Sequence, residues 1–299
     1  MQKTISLALA LAAGLTLVSA ARAAEWKVIS DKTVEGFGHN ESVAWDPTEK
    51  VFYTGNFGAA LKPADKDGQG SITKVAADGK ILQKHFLPAN GEVMNKPKGI
   101  WIKGRNLWVT DIDVLWQFDL KTKKSKKLDL PVNYANDPAL IGNSLYVSDN
   151  RNDKVLRITP ADFLNARKAP KIEVVYTGKG IDPNGLWPAK GGGLLMAGFV
   201  DKAHPKAIYA MKPGQEPKAL TKDIGLLDGL YQARNGDIFA TDWVTNSLFV
   251  WNAKDGVKTL VTGIKGPADF AVVPNGKGLL IAQPDLVQGH IRFIEVQRK

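Results

Sequence analysis

Asp228-Gly229-Leu230-Tyr231, followed after a turn by Ile238-Phe239-Ala240-Thr241-Asp242, is the stretch from which the rest of the chain can be read. A polar residue opens a short apolar strand, and a second strand ends on a hydroxyl and an acid. The unit recurs along the chain. Glu41 opens Ser42-Val43-Ala44-Trp45-Asp46, followed by Val51-Phe52-Tyr53-Thr54-Gly55. Lys98 opens Gly99-Ile100-Trp101-Ile102 before Leu107-Trp108-Val109-Thr110-Asp111. Asn136-Asp137 lead into Pro138-Ala139-Leu140-Ile141 and Leu145-Tyr146-Val147-Ser148-Asp149. Asn184 opens Gly185-Leu186-Trp187 before Leu194-Leu195-Met196-Ala197-Gly198. Asp269 opens Phe270-Ala271-Val272-Val273 before Leu279-Leu280-Ile281-Ala282-Gln283.

Taken at 41, 98, 137, 184, 228 and 269, successive anchors lie 57, 39, 47, 44 and 41 residues apart, the length of one four-stranded propeller blade. Third strands such as Leu115-Trp116-Gln117-Phe118 and fourth strands such as Val174-Val175-Tyr176 follow the pairs. No amphipathic helical pattern interrupts them. The expected fold is therefore all-β, a six-bladed β-propeller with four-stranded blades forming one domain over residues 24–299. The last blade runs only to a third strand, His290 to Val296. Trp26-Lys27-Val28-Ile29 precedes the first anchor without a blade of its own. It is expected to supply the missing outer strand and close the ring, because an open edge invites aggregation.

The first residues differ in kind. Met1-Gln2-Lys3 is followed by a nearly unbroken apolar run from Ile5 to Val18 and by Ala21-Arg22-Ala23, the pattern of a cleaved secretory signal peptide over residues 1–23. The run is shorter than the roughly 20 residues that span a bilayer, so no membrane anchor is expected after cleavage. The chain contains no cysteine, which excludes disulfides, thiolate nucleophiles and zinc–thiolate sites. Export without disulfides suits a periplasmic or secreted protein held together by burial alone. Net charge is +10; removing residues 1–23 takes away Lys3 and Arg22 and no acid, leaving +8. The one dense basic run, Lys121 to Lys127, reads as a solvated hairpin. Neither a reading helix nor interleaved aromatics accompany it, so no nucleic-acid partner is expected. A monomer is.

In a propeller each innermost strand starts at the same end of a central channel, so the anchors converge. Loops between second and third strands share that end, the longest being 57–70 and the next 198–206. Glu41, Asn136, Asn184 and Asp228 form an all-oxygen set suited to a hard cation such as Ca²⁺. The competing reading makes Asn184-Gly185 and Asp228-Gly229 ordinary turns leading into strands. It does not explain Glu41-Ser42, because Glu has no turn preference.

These stretches, Glu41 to Asp46, Asn136-Asp137, Pro183 to Leu186 and Leu227 to Leu230, resemble the regucalcin/gluconolactonase (senescence marker protein) family in order and spacing. The resemblance implies a divalent metal held by Glu41, Asn184 and Asp228, with Ca²⁺ expected and Zn²⁺ or Mn²⁺ as alternatives. It makes Asn136 a contact for substrate or water and Asp228 the general base against a lactone carbonyl. The chain departs from the family in three places. Tyr134 stands where lactonases often carry Arg, Pro138 replaces the Gly after Asn-Asp, and Lys98 replaces an uncharged residue. Lys98, Asp137 and Asp269 are expected to set what the site binds, with Lys98 either neutralising one of the two acids or holding an anionic group.

The remaining candidates read as structural. Asp111, Asp149 and Asp242 are expected to be turn caps. Asp65 to Gly70 looks like half a calcium loop without a distal Glu, and reads as a flexible surface loop. His39 and His204 are expected in surface or turn positions, and the tryptophans in packing between blades, with Trp187 and Trp243 as exceptions near the anchor end. No Gly-x-Ser-x-Gly elbow, His-Glu-x-x-His motif or phosphate-binding loop is present. Two functions remain: a periplasmic metal-dependent lactonase acting on a small cyclic ester, or a non-enzymatic propeller binding a small ligand or protein partner through the same face.

Overall fold

The structure, a computed structural model, describes residues 25–178, 180–212, 214–276 and 278–299. The expected signal peptide lies outside these residues. Six four-stranded antiparallel sheets follow one another along the chain. The first blade comprises Asn40–Asp46, Val51–Asn56, Ser71–Ala76 and Ile81–Leu87, counted outward from the channel. The innermost strands of blades two to five are Pro97–Lys103, Ala135–Ile141, Pro183–Pro188 and Leu227–Gln232. In the sixth blade Ala271–Asn275, Gly278–Asp285 and His290–Arg298 are completed by Trp26–Val34 as the outermost strand. The closing strand is longer than the four residues picked out in the sequence, and it pairs along its length with His290–Arg298. The pairing continues past both ends: Glu25 and Lys299 exchange backbone hydrogen bonds of 2.7 and 2.9 Å. Among the described residues no helix could cross a membrane.

The core is divided among the six seams between blades. Tyr53, Ile72 and Phe86 of blade one pack with Val109, Trp116 and Phe118 of blade two. Phe239 and Val250 of blade five pack with Ile281 and Ile294 of blade six, where Trp26 joins them. The Trp26 ring meets Phe239 edge-on at 5.1 Å, and its indole N–H donates to Asp237 at 2.7 Å. One strand therefore serves the last sheet with its backbone and, through Trp26, the seam beside it. The basic hairpin over 121–127 is solvated as expected, although Lys127 and Lys123 lay their charges over the Trp116 and Phe86 rings.

The expected caps are present and do more than cap. Asp111 accepts from the backbone N–H groups of Asn95 and Lys96 at 2.9 and 2.7 Å, fixing the segment that leads into its own blade's innermost strand. Asp242 accepts from Leu226 N at 2.9 Å and from Val244 and Thr245 in the following turn. Asp285 repeats the pattern with Lys265 and Gln288. Asp242 and Asp285 thus hold both flanks of one strand pair at the anchor end of the ring, and Asp111 holds one.

Candidate functional site

The anchors point into the channel because the backbone breaks register there. In blades one to five the first strand pair shifts register at the anchor, between Asn40 and Ser42, Pro97 and Ile100, Ala135 and Pro138, Pro183 and Leu186, and Leu227 and Leu230. A bulge of this kind re-aims a side chain away from the alternating pleat. The first bulge residues are Glu41, Lys98, Asn136, Asn184 and Asp228. In blades two, three and five the second strand also supports the next anchor. Thr110 Oγ1 donates to Asn136 O, Ser148 Oγ to Asn184 O at 2.6 Å, and Thr241 Oγ1 to Ala268 O at 3.4 Å.

This register corrects two assignments. Asp137 and Asp269 are not anchors in the sense of the other four. The true equivalents are Asn136 and Ala268, so Asp137 and Asp269 occupy the second bulge position, held elsewhere by Ser42, Gly99, Gly185 and Gly229. That position faces the neighbouring blade. A Cβ at Gly185 would collide with the carbonyl oxygen of Asp228, and one at Gly229 would lie 2.8 Å from the Phe270 ring and 3.0 Å from Ala268 O. None of Gly99, Gly185 and Gly229 has a positive φ. The turn reading of Asn-Gly and Asp-Gly therefore fails, since these glycines lie inside strands and are small for close approach. In blades three and six the place is taken by carboxyl groups. Burial raises both pKa values, and the charge of Asp269 raises that of Asp137 further. Asp137 accepts from Leu186 N at 2.6 Å.

All seven predicted site residues are buried at one end of the channel, Lys98 at 1%, Asn184 and Asp228 at 2% and Glu41 at 5% exposure. Glu41 feels Asp269, Asp228 and Lys98, and burial together with the two acids drives its pKa well up. Asp228 is raised for the same reasons, burial first and then Asp269. Its Oδ2 accepts from Trp243 Nε1 at 2.8 Å, which places Trp243 at the anchor end as expected. Lys98 does not neutralise Asp137 or Asp269. Burial pulls it down to about 8, and the acids that oppose this are Glu41 and Asp111. Its Nζ lies 4.2 Å from the centre of the Tyr134 ring, with Arg151 at 3.8 Å from the same ring. Arg151 escaped the sequence reading. It sits in the loop between second and third strands of blade three, and only that loop's position marks it.

Four oxygens in the ring lack a hydrogen-bond donor although buried: Glu41 Oε2, Asn136 Oδ1, Asn184 Oδ1 and Asp228 Oδ1. Asp269 Oδ2 is in the same condition. Orphaned buried acceptors are costly, about 1–3 kcal/mol each, unless a cation or a donor meets them. Among the described residues no three His, Asp or Glu side chains form a metal cluster by themselves. The set at hand is two carboxylates with two amides, and its orphaned oxygens fit a hard cation.

The other candidates lie elsewhere. His39 Nδ1 is 3.1 Å from Leu286 O, and His204 pairs with Asp201 on the surface. The 57–70 loop is on the surface but tethered, because Asp67 accepts from the fully buried Lys96 at 2.6 Å and Gly68 N donates to Asn95. Trp187 belongs to the opposite end of the channel.

Fold and ring together define the class: a six-bladed β-propeller with a polar, bulged channel mouth. No protein-family model and no curated protein matches the chain. Among solved structures it is similar to virginiamycin B lyase from Staphylococcus aureus, at 13% identity over 91% of this chain and 99% of the other, with a TM-score of 0.60. It is equally similar to a calcium-binding protein, regucalcin, from Agrobacterium tumefaciens, at 13% identity over 89% and 93% of the two chains and a TM-score of 0.60. A nidogen/laminin complex contains a further similar chain, at 16% identity, 84% and 86% coverage and a TM-score of 0.55. At these identities the likeness is one of fold.

Proposed function

We propose that the anchor end of the channel holds a divalent cation, and that the protein is an exported, periplasmic, monomeric hydrolase of the lactonase type acting on a small cyclic ester. The observation that carries this reading is the set of four orphaned oxygens on Glu41, Asn136, Asn184 and Asp228. Glu41, Asn184 and Asp228 would hold the ion, Ca²⁺ before Mn²⁺ or Zn²⁺ because every donor is a hard oxygen. When bound, it would supply Lewis-acid polarisation of a carbonyl. Trp243 fixes Asp228 through Oδ2 and leaves Oδ1 facing the channel to take a proton from water. In the metal-free protein burial and the neighbouring Asp269 raise the Asp228 pKa. Asn136 orients water or substrate beside it.

The test uses mature protein, chelated and then reloaded with Ca²⁺, Mn²⁺ or Zn²⁺, and a panel of lactones. A metal-dependent rise in melting temperature and turnover abolished in Asp228→Ala are expected. No thermal shift and no turnover would end the enzyme reading, and turnover surviving in Asp228→Ala would remove Asp228 as the base. The second reading, a propeller that binds a ligand without chemistry, draws on Lys98. A buried ammonium coupled to Glu41 opposes a cation there and suits an anionic ligand group instead.

A further inference from the structure

The other end of the channel is built differently. Trp101 of blade two and Trp187 of blade four meet with ring centres 5.2 Å apart, although blade three lies between them. Rings that touch across an intervening blade must project into the channel rather than into a seam. Tyr231 of blade five continues the series at 5.0 Å from Trp187. Trp45 occupies the corresponding stretch of blade one. All four aromatics are only partly buried. Beside them opens a cavity of about 370 Å³ lined by Trp45, Ile100, Trp101, Trp187, Phe270 and Val272 among others, with no charged side chain in its wall. That volume lies within the range of small-molecule sites, which are apolar with few polar groups.

The turns joining first to second strands border this end, and they carry exposed cations: Lys50, Lys103, Lys190 and Arg234. The acids of the same turns are engaged. Glu49 pairs with Lys74, Asp46 caps Thr48 N at 2.8 Å, and Asp237 is held by Trp26 and Asn235. Lys190 donates to Arg234 O at 2.9 Å and keeps its charge. An aromatic floor with a basic margin recognises one chemistry: a flat apolar body that stacks on the rings and an anionic group that reaches the rim.

We propose that the channel end opposite the anchors is a second binding site, for a small aromatic carboxylate or sulfonate seated on Trp101 and Trp187. It is independent of any cation at the anchor end. The test titrates chelated protein with 8-anilinonaphthalene-1-sulfonate and with the uncharged N-phenyl-1-naphthylamine, reading probe fluorescence. Saturable one-to-one binding is expected, with the sulfonate held about tenfold more tightly than the neutral probe. Trp101→Ala weakens both probes by about tenfold. Lys103→Glu with Arg234→Glu abolishes the preference for the sulfonate and leaves the neutral probe unchanged, and Lys98→Met at the far mouth changes neither. Equal affinity of the wild-type protein for the two probes, or sulfonate binding untouched by the rim variants, would overturn the proposal. So would unchanged binding in a folded Trp101→Ala. If that variant loses its far-ultraviolet circular dichroism, the rim variants, which alter only exposed side chains, decide the matter alone.

Discussion

The two mouths of the channel are made by the same innermost strands, yet they have opposite chemistry. At the anchor end the ladder is bulged and the side chains are carboxylates, amides and one ammonium, several without partners. At the far end the ladder is regular from Ile100 to Lys103 and from Leu186 to Pro188, and the side chains are aromatic. The difference teaches where the fold tolerates unsatisfied groups. Backbone irregularity and orphaned acceptors are concentrated at one mouth, and packing is left to the other.

Several substitutions would break or sharpen that contrast. Gly185→Ala should have the largest effect, since its Cβ meets the Asp228 backbone, which cannot give way without opening the seam. A loss of about 3 kcal/mol or a failure to fold is expected in urea unfolding. At the aromatic mouth Trp101→Ala should cost about 2 kcal/mol by the same measurement, because the ring is only partly buried. Asp228→Asn should move the other way in chelated protein. Removing a buried carboxyl raised by burial and Asp269 should stabilise the metal-free state by about 1 kcal/mol while erasing the Ca²⁺-induced thermal shift. Lys98→Met should tighten Ca²⁺ binding by about tenfold in calorimetric titration, since it deletes a cation coupled to Glu41.

The smallest effect concerns the loop over the anchor mouth. The Lys96 hydrogen bond lowers the Asp67 pKa. A depressed carboxylate contributes stability above its unfolded pKa of about 4, and that contribution disappears as pH falls through the lower folded value. Amide exchange at Gly68 should therefore quicken on acidification below about pH 4 relative to the blade strands, and Lys96→Met should quicken it at neutral pH.

Much of this was legible in the residues. The blade unit, the ring closure by Trp26 and its neighbours, and the convergence of Glu41, Asn136, Asn184 and Asp228 all follow from repeated pattern. The register of blades three and six did not, for a physical reason. A bulge adds a residue, so alternation cannot tell its first position from its second. A following glycine marks the second position in blades two, four and five. Pro138 and Phe270 remove that mark, and Asp137 and Asp269 were displaced by one. Lys98's partners and Arg151 were hidden because both depend on how neighbouring blades meet at the mouth. Trp187 was assigned to the wrong end because three residues of strand separate it from Asn184, enough to cross the channel.

The seam between Trp26–Val34 and His290–Arg298 joins residues more than 250 positions apart, sealed by the exchange between Glu25 and Lys299. Closing a loop of that span costs chain entropy before its contacts form, so the seam is expected to form late in folding. It also makes the circle topologically indifferent to where it is cut. A short covalent link from Lys299 to Glu25, with a new opening in the exposed Gly191-Gly192 turn, should leave a ring of six intact sheets whose closing joint has moved to another blade.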